Sequence, residues 1–406
     1  MGEQRRDWVQ HGMSHGLRWV LLTMMIALPN AVSAQSMEEV AKLISSDGSP
    51  NDFFGGAVAI SGTTAVVGGG TSGQSEGAYV FVKDASGFWV EQQKLVAGDS
   101  VPGDRFGVSV AIDGNTIVVG ADKDDPNDAS CTGSCDTGAA YVFVRNTAGT
   151  WTQQAKLMAG DAHHLDNLGG AVAVSGDTAL IGARGDDDNG NGAGAAYAFQ
   201  RTGGTWLEQQ KIVASDAAAA DAFGTAVALD GSRALVGAQG DDDNGSTSGA
   251  AYVFEHSGGL WVEQQKLTAS GGYAANLFGY SVSLSGNVAL VGAPNYDAVD
   301  GTSGRGAAFA FVYNGSFWTE HQTLSAVDGA PNDALGRSVS VSGGVALLGA
   351  PYHAANGYAS GAAYVYLLNG SFWSPFDKLL ASDAMASDFF GEAVAVSGFV
   401  GVVGAR

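Results

Sequence analysis

"FGTAVALDGSRALVGAQGDDDNGSTSGAAYVFEHSGGLWVEQQKLTA", residues 223–269, holds four short apolar runs separated by glycine-rich breaks. In 223–231 small residues alternate with Val or Leu; 233–238 and 249–255 are short apolar runs between glycines. In 260–269, Trp261, Glu263 and Gln265 oppose Val262, Gln264 and Lys266. Period-two alternation with β-branched and aromatic residues predicts a strand for each run. Turns such as 175–178 (SGDT) and 113–116 (DGNT) supply the positive φ that tight hairpins need, so neighbouring strands run antiparallel.

This unit recurs along the chain. An aromatic residue or Leu followed by Gly stands at Phe54-Gly55, Phe106-Gly107, Leu168-Gly169, Phe223-Gly224, Phe278-Gly279, Leu335-Gly336 and Phe390-Gly391, 52 to 62 residues apart. Seven copies of a four-stranded meander predict an all-β fold, a seven-bladed β-propeller, with an open solenoid as the competing geometry. The run 38–43 (EEVAKL) reads as a fourth strand with no preceding three, and the sequence given stops at 401–406 (GVVGAR) after a second strand. The expectation is therefore an incomplete last blade closed by the N-terminal strand. Trp89, Trp151, Trp206, Trp261, Trp318 and Trp373 keep a fixed phase in the repeat, which predicts packing between blades over ligand contact.

The pattern DxFG…VGA…GAAYVF…W.EQQKL resembles the FG-GAP repeats of integrin α-chain propellers and of many bacterial secreted proteins, over residues 37–406. The resemblance implies the fold and says little about activity, because propellers present loops for many purposes. It departs from the integrin pattern in one respect: the calcium loop of those propellers joins strands one and two, where this chain has bare turns, so those calcium sites do not carry over.

Composition narrows the classes of function. The 406 residues are 45% hydrophobic and 15% charged, with 61 glycines and a net charge of −22. So acidic a chain argues against nucleic acid and anionic membranes as partners. Acidic groups also keep register. Seven residues before each aromatic or Leu stand Asp47, Asp99, Asp161, Asp216, Gly271, Asp328 and Asp383; two before it stand Asp52, Asp104, Asp166, Asp221, Asn276, Asp333 and Asp388. The leading reading is Asp accepting backbone N–H bonds in tight loops, with metal ligation as the alternative. Alternation of strands puts these loops and the acidic loops between strands two and three on one face.

Within 184–194 (RGDDDNGNGAG), Asp187, Asn189, Asn191 and Gly192 match the first half of the calcium pattern D-x-[DN]-x-[DN]-G, but Ala198 stands where its bidentate Glu belongs. Asp242, Asn244 and Ser246 repeat the spacing more weakly. Asp187, Asn189, Asn191, Asp242 and Asn244 are thus the candidate ligands of a loosely held Ca²⁺, the one cofactor suggested, with a solvated acidic loop as the alternative. The tripeptide Arg184-Gly185-Asp186 has the form integrins read, yet Gln239-Gly240-Asp241 takes its place in the next unit, so it reads as scaffold.

Residues 1–34, with Arg5, Arg6 and Arg18 before an apolar run and the small-residue ending 31–34 (AVSA), read as a secretory signal peptide, with Met1 or Met13 as the start. The mature propeller is then 35–406, secreted or at the cell surface. Cys131 and Cys135, the only two cysteines, predict a local disulfide in an oxidising compartment. No HExxH, Walker loop or GxSxG elbow in its proper context appears, and the one histidine pair, His163 and His164, lies in a strand four-to-one loop. The functional expectation is a non-enzymatic, monomeric binding or adhesion module with an extracellular protein or glycan as ligand. The alternatives are an extracellular hydrolase or lyase working in the central channel, and a structural repeat region of a larger surface protein.

Overall fold

Alternating inner strands of small residues and outer strands of Trp and Lys form sheets that pack face to face around an axis. The structure, a computed structural model, describes residues 36–48, 52–69, 76–125, 135–271, 274–296 and 304–406, and the backbone of 20–24. All paired strands in its four-stranded sheets run antiparallel. Six sheets are each one continuous stretch of chain, here blades one to six, as in blade four with Phe223–Asp230, Arg233–Ala238, Ala250–Ser257 and Leu260–Leu267. Their inner strands begin at Ala57, Ser109, Leu168, Phe223, Ser281 and Ser338.

The remaining sheet is composite. Its order is Val394–Ser397, Val400–Gly404, Val20–Met24 and Glu38–Leu43. Glu38–Leu43 does join the last repeat, at the outer edge, but the expected gap at the third position is filled. Val20–Met24 pairs with Val400–Gly404 on one side and Glu38–Leu43 on the other. It comes from the segment read as a leader, whose apolar run has the composition of a third strand; the rest of 1–34 lies outside the described residues. Each inner strand touches the next, and Val394–Ser397 meets Ala57–Ser61. The ring is closed, which excludes the open solenoid.

Blades are joined by backbone as well as by side chains. The Phe223 amide donates to the Ala193 carbonyl of blade three (2.9 Å), and the same stitch recurs at Phe278, Leu335 and Phe390. The glycines of the repeat make this approach feasible: at Gly224, φ is +87° and a Cβ would meet the Ala195 carbonyl oxygen at 2.2 Å. Between sheets lie apolar layers shared by neighbours; the layer between blades three and four contains Leu180, Ile212, Phe223, Val236, Tyr252 and Trp261. Trp151, Trp206, Trp261, Trp318 and Trp373 are buried, as their phase predicts, whereas Trp89 is half-buried.

Candidate functional site

The outer strand supplies one contact for almost every letter of its consensus. Gln265 donates from Nε2 to the Trp318 carbonyl of the next blade (2.8 Å) and accepts from the Trp318 amide (2.8 Å). Gln93, Gln210 and Gln322 hold Trp151, Trp261 and Trp373 in the same way. Glu263 receives the Ser215 amide and hydroxyl (both 2.9 Å), fixing the loop that enters its blade.

The lysine of that strand centres the acidic loops. Lys266 Nζ lies 2.8 Å from Asp216, 2.7 Å from Asp241 and 2.7 Å from Asp243. One blade earlier, Lys211 Nζ lies 3.0, 2.7 and 2.6 Å from Asp161, Asp186 and Asp188. Tyr252 Oη is shared by Asp216 and Asp241, and Tyr197 Oη by Asp161 and Asp186. Each cluster joins a strand four-to-one loop to a strand two-to-three loop, so both loop sets lie on the same face.

Charge follows from this geometry. Burial works to raise the carboxyl of Asp216, but Lys266 and Tyr252 outweigh it and hold the group below the usual carboxylate range; Lys211 and Tyr197 do the same for Asp161. Burial and the adjoining carboxylates push the Tyr252 and Tyr197 hydroxyls far up. Burial disfavours charge on Lys266, yet the three carboxylates raise it above its ordinary value.

The second Asp of each loop closes a turn. The amides of Val101, His163, Ala218, Ala330 and Met385 donate to Asp104, Asp166, Asp221, Asp333 and Asp388 at 2.6 to 2.8 Å. These five Asp residues are thus loop scaffold, as the leading sequence reading had it. The first set is also tied to Tyr and Lys, a partnership not drawn from the sequence, although Lys94, Lys156, Lys211, Lys266 and Lys378 keep constant register there.

The candidate calcium ligands are not the residues that converge. The side chains of Asp187, Asn189, Asn191, Asp242 and Asn244 are exposed. Among the described residues, the three carboxylates close enough to share a cation are Asp216, Asp241 and Asp243, and Lys266 holds that place. That cluster does not fit a resident metal alongside the lysine. Asp186 of the Arg-Gly-Asp tripeptide is 2% exposed and held by Tyr197 and Lys211, unavailable to a reader of that motif. Cys135 is disulfide-bonded, and Cys131, the other cysteine of the sequence, lies outside the described residues. His163 and His164 border a cavity of about 420 Å³ beside Asp124 and Cys135.

Blade six departs from the pattern. His353 replaces the buried Asp of the strand two-to-three loop; its Nδ1 lies 2.7 Å from Asp333 and its Nε2 2.6 Å from Lys378, which also holds Asp328. Both ring nitrogens are used internally, so His353 takes over the packing role of Asp186 and Asp241.

The sequence profile of the FG-GAP repeat matches seven stretches: 37–81, 89–143, 151–199, 206–254, 261–311, 318–366 and 373–406. The chain belongs to the FG-GAP repeat family. From the second onward, each matched unit begins on an outer strand and those up to the sixth end on the third strand of the next blade, so the FG-GAP repeat is offset from the blade by one strand. That offset explains why Glu38–Leu43 opens the first unit yet lies in the composite sheet. No curated protein matches the chain. A solved structure of a protein from Lactobacillus plantarum is similar in fold, with a TM-score of 0.55 at 12% identity, over 95% of this chain and 99% of that one.

Proposed function

We propose that this FG-GAP protein is an extracytoplasmic binding module of seven blades, the composite sheet serving as the seventh, whose partner docks on the acidic loop face. The supporting observation is the division of carboxylates there. Asp186 and Asp241 are buried and neutralised by lysine, while Asp187 and Asp242 in the same loops point to solvent. The inner acids hold the loops and the outer ones are free to meet a cationic protein surface or the hydroxyls of a glycan. Calcium enters this reading as a weak ligand of Asp187, Asn189 and Asn191 and of Asp242 and Asn244, on the order of 10⁻⁴ to 10⁻³ M as in other extracellular modules. No described helix is long and apolar enough to cross a membrane. Residues 1–34 act as the export signal; their removal takes Val20–Met24 out of the composite sheet, so the seventh blade of the exported protein keeps Val394–Ser397 and Val400–Gly404 as its paired strands. The protein acts as a monomer.

The test is a binding screen of the exported protein against extracellular proteins and glycans, repeated with the double variant Asp187→Lys and Asp242→Lys. The reading expects a partner whose affinity weakens with added salt and falls at least about tenfold in the variant. A partner indifferent to both changes would contradict it. Turnover of a polymer by the same preparation would favour the hydrolase or lyase class instead. Export is checked separately by sequencing the N-terminus of the secreted chain: Gln35 is expected, and a chain still beginning at Met1 or Met13 overturns it.

A further inference from the structure

The repeat breaks down most completely at the axis. There the residues that follow each FG, Arg337 and Glu392 among them, line a channel of roughly 220 Å³ together with the inner strands of all the sheets. The acids present are already matched. Arg105 Nη1 donates to Asp122 (2.9 Å), and Glu392 receives Nε and Nη2 of Arg337 (both 3.0 Å) and is paired with Arg406 Nη2 (3.2 Å). Arg184, at the position of Asp122 and Arg406 in its own repeat, is exposed and has no hydrogen bond or ion pair among the described residues. It nonetheless lies within electrostatic reach of Asp122 and of Tyr280, and Tyr280 lines the channel. Four guanidinium groups thus meet two carboxylates at the centre of an acidic face, and most of the N–H donors of Arg184, Arg337 and Arg406 are left over.

We propose that this axial mouth is an anion site that takes a carboxylate group, with Arg184 as the residue that closes on it and Arg337 and Arg406 as the preset donors beneath. A planar carboxylate matches the guanidinium fork two N–H groups at a time. Glu392 fixes Arg337 and Arg406 before the ligand arrives, so little side-chain freedom is lost on binding. The surrounding acidic rim repels anions at long range, which restricts the site to ligands whose remainder is neutral or hydroxylated. This site is independent of the rim contact proposed above and uses none of its residues.

Calorimetric titration of the full chain with acetate, and separately with an otherwise neutral oligosaccharide ending in a single uronic acid, tests it. Saturable one-to-one binding of either probe is expected, weakened at least about tenfold by Arg184→Glu, an exposed position whose melting temperature should not move. Gln239→Arg, the matching position one blade on, should tighten binding. Asp187→Lys controls for overall charge, since it shifts the net charge by the same two units in the opposite sense at the rim and should leave affinity within about twofold. Binding of acetate identifies any small carboxylate as sufficient; binding of the oligosaccharide alone, still sensitive to Arg184→Glu, assigns the group to a polymer. No binding of either probe, or binding that Arg184→Glu and Asp187→Lys change in proportion to net charge alone, overturns the proposal.

Discussion

Gly224 shows at one residue why the motif is FG. Its φ of +87° and the Ala195 carbonyl oxygen 2.2 Å from the place of a Cβ leave no room for any other residue. Gly224→Ala should therefore destabilise the protein by about 3 kcal/mol or more, read by denaturant unfolding. A loss below about 1 kcal/mol would show that the blades can part at no cost. Asp166 is the opposite case, a group whose charge works against folding. Burial first, and then Asp186 and Asp187, push its carboxyl up to about 6 against the His163 amide, and its Oδ1 has no partner. Its folded value exceeds its unfolded one, so its contribution to stability is weakest above pH 6 and grows as the pH falls through that value. Asn276 fills the same place in another repeat. Asp166→Asn should thus stabilise the fold at pH 7.5 by on the order of 1 kcal/mol, read as a higher melting temperature, with the gain narrowing towards pH 4. The Phe-Gly recurrence was plain in the sequence, but its cause, a carbonyl from another blade, was not, because contacts across more than twenty residues leave no local pattern.

At the scale of the element, the outer strand and its loop form one electrostatic unit. Lys266→Ala would leave Asp216, Asp241 and Asp243 together, with Asp241 buried. Breaking a pair of this kind costs about 3 to 5 kcal/mol when fully buried. Two of the three carboxylates are exposed, so about 2 kcal/mol is expected, measured by denaturant unfolding. The variant should also acquire a calcium response, its melting temperature rising with millimolar Ca²⁺ as the metal takes the vacated place. A variant as stable as the parent, or one deaf to calcium, would show that the lysine does not stand where a cation fits. Gln265→Ala removes two hydrogen bonds to Trp318 and should cost about 1 to 3 kcal/mol in unfolding free energy. Here the sequence was only half legible. The D-x-N-x-N spacing in 187–191 suggested the ligands, yet the carboxylates that converge come from two separate loops, Asp216 from one and Asp241 and Asp243 from the other. The lysine among them looked like an ordinary outer-strand charge.

For the whole molecule, strand number, alternation and repeat length made the propeller readable from 223–269 outward, and ring closure follows from the inner strands meeting end to end. What the repeat could not disclose was the composition of the sheet built from both ends of the chain, since Val20–Met24 lies in no copy of the motif. The axial arginines escaped notice for the same reason: a mouth assembled from single residues of different blades has no sequence spacing. On the function proposed here, the acidic face is held by the protein's own lysines, with calcium only a weak external ligand. The direct measurement is thermal unfolding of the same preparation in 1 mM Ca²⁺ and in excess chelator. The two melting temperatures should agree within about 2 °C. A chelator-dependent fall of more than about 5 °C would mean that a tightly bound ion, and not Lys211 and Lys266, organises those loops.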